Sequence, residues 1–379
     1  MVNHGSLVAA CRGRRGAPTA AVRILATLLL AGTMLALMAA PAWAHGRGSD
    51  ASNFLSTITS TGGVDTLEWR IVNSDEYLQL TNNGDEPVMI PDYENLPYLR
   101  IEPDGVYRNR NSRATYVNED RFGQTPIPTD IEIGAEPDWE KLDDSNSYAW
   151  HDHRIHWMAQ AEPPGVATEP GSRQLVNRWQ VPFVIDGNTR AVTGELEWVP
   201  GGSPWVWLLP ALLVTALPVI YGLATSEPDI EAFEWRGLSA PAGMMLLVIA
   251  AGNLLHLWDD LFATPIPFSQ SVVSAAQTAF FIAIAAFGAI KAIEGKEGAF
   301  TALGVASGAT FIGQGLLYFG VLGASQTASL FPGWLTRLVV ALSVAQVLPM
   351  AVAAVMGTRA LLPEFDDSEL REEAAGAGT

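Results

Sequence analysis

The densest chemistry in the chain is the run Tyr148-Ala149-Trp150-His151-Asp152-His153-Arg154-Ile155-His156-Trp157-Met158, where three of the six histidines fall within six residues. Imidazole is the usual protein ligand for zinc and copper, and two imidazoles two residues apart can reach one ion. On an extended strand, alternation sets His151 and His153 on one face and Trp150, Asp152, Arg154 and His156 on the other. His156 then joins the pair only across a bulge or turn. His45 is a fourth candidate. As the first residue of a processed chain, its ring and free amine can clasp Cu(II); as the third, it can do so through the amine, the intervening amides and the ring. The only cysteine, Cys11, lies in the leader, so the site expected at His151, His153, His156 and His45 is rich in nitrogen and oxygen, with copper the favoured ion. Read as structure alone, the same run is a hydrogen-bonded core strand with an Asp152–Arg154 ion pair.

The leader is read from its composition. Arg12, Arg14, Arg15 and Arg23 precede an apolar stretch at residues 24–39, and small residues follow, which predicts a signal peptide over residues 1–44. Cleavage after Ala44 is favoured and releases His45, while cleavage after Ala42 releases Trp43. Arg14-Arg15 is followed by Gly16 and Ala17, so Sec export is expected over the twin-arginine route.

Residues 45–203 are expected to form the extracytoplasmic domain that positions the histidines. Short alternating segments at 67–72, 77–81, 87–90, 98–101, 106–107, 181–185 and 190–199 are separated by turn signals such as Asn82-Asn83-Gly84-Asp85, Pro103-Asp104-Gly105 and Asp186-Gly187-Asn188. They predict an all-β, immunoglobulin-like antiparallel sandwich, with residues 109–144 as a long excursion. This portion carries 12 Lys and Arg against 26 Asp and Glu, and the whole chain has a net charge of −18. Such a surface repels nucleic acid and anionic lipid and attracts cations.

Five apolar stretches follow, at 205–224, 238–258, 270–290, 299–323 and 338–356, each about the 20 residues that cross a bilayer core. They predict an α-helical transmembrane domain at 204–358 and an acidic cytoplasmic tail at 359–379. Arg236, Lys291, Lys296 and Arg359 fall on one side and only Arg337 on the other. Trp205, Trp207, Trp258 and Trp334 mark that second, outer side. Asn253, His256, Asp260, Gln277, Gln314 and Gln346 are the polar residues of the bundle, and each needs a partner away from lipid. They serve either as interhelical hydrogen bonds or as an outward-facing pocket for a cation. His256, Asp259 and Asp260 share a helix face by their spacing. Pro210, Pro218 and Pro349 predict kinks. A charged relay of Arg or Lys is missing from the helices, which argues against a proton-driven pump.

The run Tyr98-Leu99-Arg100-Ile101-Glu102-Pro103-Asp104-Gly105-Val106, with Ser112-Arg113-Ala114-Thr115-Tyr116 and the histidine run, resembles an uncharacterised family of actinobacterial membrane proteins over nearly the whole mature chain. That resemblance implies the layout and brings no activity with it. The layout, a sandwich anchored outside a membrane, is similar by analogy to that of envelope copper-handling proteins. No GxSxG elbow, HExxH helix or Walker loop occurs in the sequence, which gives no signature of an enzyme. The expected function is binding of a transition metal in the cell envelope, with the lipid bilayer and a metal ion or envelope protein as partners. The alternative is a non-enzymatic scaffold or protein-interaction module.

Overall fold

Alternating burial builds the strands of the N-terminal β region. In β10 (Asn188–Trp198) Val192, Gly194, Leu196 and Trp198 are buried in strict alternation, and β9 (Gln174–Ile185) buries Trp179, Val181, Phe183 and Ile185 in the same way. Asp186 and Gly187 both take positive φ, 51° and 69°, as a two-residue hairpin turn with right-handed twist demands. Gly194 cannot be larger: a Cβ there would stand 2.1 Å from the Trp179 side chain and 2.3 Å from the Thr57 carbonyl.

The computed structural model describes residues 51–159, 161–225, 235–296 and 298–359. The expected signal peptide, His45 and the tail beyond Arg359 lie outside the described residues. The remaining strands are β1 (Phe54–Ser60), β2 (Leu67–Val72), β3 (Tyr77–Asn82), β4 (Val88–Pro91), β5 (Pro97–Glu102), β6 (Gly105–Asn109), β7 (Trp139–Asp143) and β8 (Ser147–Trp150). They pair antiparallel into a seven-stranded sheet, ordered β1-β10-β9-β4-β5-β6-β7, and a three-stranded sheet, β2-β3-β8. One core joins them, with Leu67, Trp69, Leu78, Leu80 and Trp150 from the small sheet against Val88, Ile101, Val181, Phe183 and Leu196 from the large one. Residues 109–144 are less of an excursion than expected. After a short helix α1 (Ala114–Val117) the chain returns as β7, which pairs with β6. A second short helix, α2 (Pro164–Thr168), precedes β9.

Five helices are long and apolar enough to cross a membrane: Trp205–Thr225, Gly237–Phe262, Phe268–Glu294, Ala299–Leu316 and Gly333–Gly357. These five spans make the chain a multi-pass membrane protein. The first is a single helix, α3 (Trp205–Thr225), and runs unbroken through Pro210 and Pro218. The second changes at Asn253, between α4 (Trp235–Gly252) and α5 (Leu254–Phe262). The third is α6 (Phe268–Glu294). The fourth, expected as one apolar crossing to residue 323, begins as α7 (Ala299–Thr310), widens into a π-helical turn at Phe311–Leu316 and tightens to a 3-10 turn at Phe319–Leu322. The fifth breaks between α8 (Gly333–Ala345) and α9 (Val347–Arg359). Pro349 explains that break, because its ring opposes the carbonyl four residues earlier, that of Ala345.

The described residues belong to one compact unit, and the β region is tied to loops between helices. Ser52 and Gln326 exchange backbone hydrogen bonds at 2.9 and 3.3 Å, the Ser325 amide donates to Asn53 Oδ1 (2.8 Å), and Asn73 Nδ2 donates to Thr264 Oγ1 (3.1 Å). Arg337 donates to the carbonyls of Val321, Ala324 and Ser325, fixing the loop that makes two of these contacts.

Candidate functional site

The histidine run is not a strand beyond its first residues. β8 ends at Trp150, and Asp152 is the reason. Its carboxylate accepts from the Arg154 amide (3.1 Å), the Arg154 guanidinium (2.7 Å twice) and Trp150 Nε1 (2.9 Å), and the Ile155 amide donates to its carbonyl (3.0 Å). A side chain that captures the amide two residues on starts a turn, so alternation does not assign the faces of His151, His153 and His156. Asp152 is fully buried and held as a carboxylate: burial alone would raise its pKa, but Arg154 and the hydrogen bonds outweigh that and lower it. The Asp152–Arg154 pair expected from the sequence therefore shapes the loop that carries the histidines.

The turn gathers the rings. His153 and His156 meet edge to face, 5.2 Å between centroids. His153 stacks on Tyr93 (5.9 Å) and His151 lies against Tyr77 (4.1 Å). His151 Nδ1 is 3.1 Å from the Glu76 carbonyl and His153 Nε2 is 3.0 Å from the Asp120 carbonyl. A carbonyl only accepts, so each of these nitrogens carries the proton, and each ring keeps its other nitrogen as a lone-pair donor. That is the arrangement seen in metal-ligating histidines, whose second nitrogen is oriented by a carbonyl or carboxylate. His156 differs: it is 4% exposed, and neither ring nitrogen has a hydrogen-bond partner.

The electrostatics keep the rings neutral. Burial pushes the His151 pKa down to about 4 and the His156 pKa down to about 2, with Arg121 and the neighbouring histidines adding to the effect; burial lowers His153 as well. Arg121 is itself paired with Asp75 at 2.5 Å. Among the described residues no three His, Asp or Glu side chains stand at metal-holding distances as they are. His156 is the member of the three whose ring nitrogens no hydrogen bond holds.

The bundle residues separate into three groups. Asn253 Nδ2 donates to Ser343 Oγ (3.1 Å), joining the second and fifth helices. Gln346 accepts from Ser307 Oγ (2.8 Å) and donates to the carbonyls of Ser307 and Ser343 (both 3.1 Å), holding the fifth helix where Pro349 breaks it. At the end of the second helix nearest the β region, Asp260 accepts from Thr278 Oγ1 (2.5 Å) and Tyr318 Oη (3.1 Å), and Tyr318 stacks on His256 at 4.2 Å. His256 is 2% exposed and its Nε2 has no partner; Gln314 is 1% exposed and neither amide atom has one. Gln277 is half-buried. Asp259 turns away from Asp260 to accept from Ser329 Oγ (2.6 Å) and the Leu330 amide (2.9 Å), so the face shared by His256, Asp259 and Asp260 divides between a loop clamp and the polar cluster. The sequence reading missed Tyr93, Arg121, Thr278 and Tyr318. Tyr318 alone had a signal, since it lies four residues after Gln314.

No protein-family model, no curated protein and no solved structure matches the chain.

Proposed function

We propose that the chain is a membrane-anchored protein of the cell envelope whose outer domain takes up a transition-metal ion, copper above all, through His151, His153 and His156. One observation carries this reading: a buried imidazole, His156, has both nitrogens unpaired beside His153. Around it, His151 and His153 are oriented through one nitrogen by backbone carbonyls and keep the other for a ligand. An unpaired buried polar atom costs about 1–3 kcal/mol, and ligation by a metal offsets that cost. The donors are imidazoles, and neutral imidazole favours Cu(II) and Zn(II), with copper ahead by the ordinary order of affinities. The acidic outer surface raises the local cation concentration. His45 would add a ligand at a processed N-terminus.

The outer domain serves as an immunoglobulin-like module in this reading, supported by two antiparallel sheets over one core. It lies outside the cytoplasm, and the C-terminus lies inside. The test is titration of the full-length protein in detergent with Cu(II) and Zn(II), for wild type and for His151→Ala/His153→Ala. Loss of a bound equivalent in the double variant supports the site. Unchanged stoichiometry and affinity would remove it and leave the scaffold reading, in which the outer domain engages an envelope protein through loops or a sheet edge.

A further inference from the structure

The polar cluster near the outer end of the bundle is built unlike the other polar contacts among the helices. Asn253 and Gln346 have every side-chain polar atom that is buried paired within the protein, whereas His256 Nε2 and both amide atoms of Gln314 do not. These two residues are almost wholly buried in helices that face hydrocarbon, where no bulk water can satisfy them.

The backbone goes to some length to place Gln314 there. It sits in the π-helical turn Phe311–Leu316, a local widening that recurs at functional sites. Within the turn Gln314 is flanked by two glycines that let it wedge between neighbours. A Cβ on Gly313 would stand 2.1 Å from the Phe281 ring of the third helix, and one on Gly315 would stand 3.0 Å from Val344 of the fifth. One turn further on, Tyr318 lies flat against His256, with ring planes 12° apart, and its hydroxyl donates to Asp260, which also accepts from Thr278. Imidazole and carboxylate thus come from the second helix, amide and phenol from the fourth, and the Thr278 hydroxyl from the third.

We infer that His256 Nε2, the Asp260 carboxylate and the Gln314 side-chain oxygen form a second cation site, inside the outer half of the bundle, for a divalent transition-metal ion. The donor set is nitrogen and oxygen without sulfur, which suits Cu(II) or Zn(II). Asp260 supplies the negative charge that a cation needs in a low-dielectric bundle, and Thr278 and Tyr318 hold that carboxylate in place. A bare ion fits the tight packing better than an organic ligand does. Asp260 is half-buried and lies one helical turn, about 6 Å, before Thr264, the residue that the β domain contacts through Asn73. The inference stands on the bundle alone and does not need the outer histidine site.

The experiment uses the full-length protein in lipid nanodiscs, titrated with Cu(II) alone, with bound copper counted and its coordination read by electron paramagnetic resonance. His256→Leu is expected to lose one equivalent together with its imidazole-nitrogen splitting. Asp260→Asn and Gln314→Leu are expected to weaken that equivalent at least about tenfold, the scale of effects on metal affinity from ligand and supporting groups. Wild-type stoichiometry and affinity in His256→Leu would overturn the site, and so would unchanged affinity in both of the other variants. Should the outer reading fail instead, His151→Ala/His153→Ala would change nothing while His256→Leu still removed its equivalent.

Discussion

His156 is where stability and ligand binding oppose each other. With both ring nitrogens buried and unpaired, it costs the metal-free protein what a leucine of similar volume would not. His156→Leu is therefore expected to raise the unfolding free energy of the metal-free outer domain by about 1–3 kcal/mol and to abolish its copper binding, both measurable by thermal melting with and without Cu(II). Protonation acts through the same residues. His151 and His156 have folded pKa values of about 4 and about 2, below the ordinary 6.5, so the unfolded chain binds more protons across that interval. With respect to these rings the folded state is at its most stable above pH 6.5 and loses stability as pH drops toward those folded values. At pH 5 the loss is about 2 kcal/mol for each. Asp75, raised by burial, acts in the opposite sense at lower pH. The expected outcome is a melting temperature that falls from pH 7 to pH 5, with a shallower slope in His156→Leu; equal slopes in the two proteins would contradict the burial argument.

Elements differ in how openly the sequence declared them. The β9–β10 hairpin was legible because Asp186-Gly187 dictates its turn and the flanking residues alternate. β1 and β7 were not: Phe54–Ser60 and Trp139–Asp143 are edge strands, half exposed and carrying Ser, Thr or charged residues, so period-two burial is weak in them. The histidine run misled because its residue types fit a strand, while the side-chain bonds of Asp152 decide a turn. Helix spans were plain from hydropathy alone, but the π-turn at Phe311–Leu316 has no compositional mark except its glycines. Those glycines give the element-scale prediction. Gly313→Ala puts a methyl into the Phe281 ring and should destabilise the bundle by about 1–3 kcal/mol, read by unfolding in mixed micelles. Phe281→Leu should rescue much of that loss, so that the double variant is more stable than the sum of the two single effects predicts; strict additivity would mean that the two positions do not touch.

At the scale of the whole molecule, the contacts of the β domain constrain the topology independently of any charge rule. They involve the segment before the first helix, where a Cβ on Gly201 would stand 1.8 Å from the Gly323 carbonyl, the loop after the second helix at Thr264, and the loop after the fourth at Ser325 and Gln326. In a chain of five crossings these three loops share one side of the membrane, so the contacts and the span count agree. Lys291 and Lys296, at the loop between the third and fourth helices, then fall on the opposite side, the one that cationic loops favour. The proposal that the sandwich lies outside rests on the leader expected from the sequence, on the basic loops and on the placement of the tryptophans. Alkaline phosphatase folds only where disulfides form, so its fusion after Pro200 should be active and its fusion after Leu370 inactive. Activity in the reverse pattern would invert the protein, placing both proposed cation sites toward the cytoplasm; activity in both fusions would mean that one of the five spans does not cross.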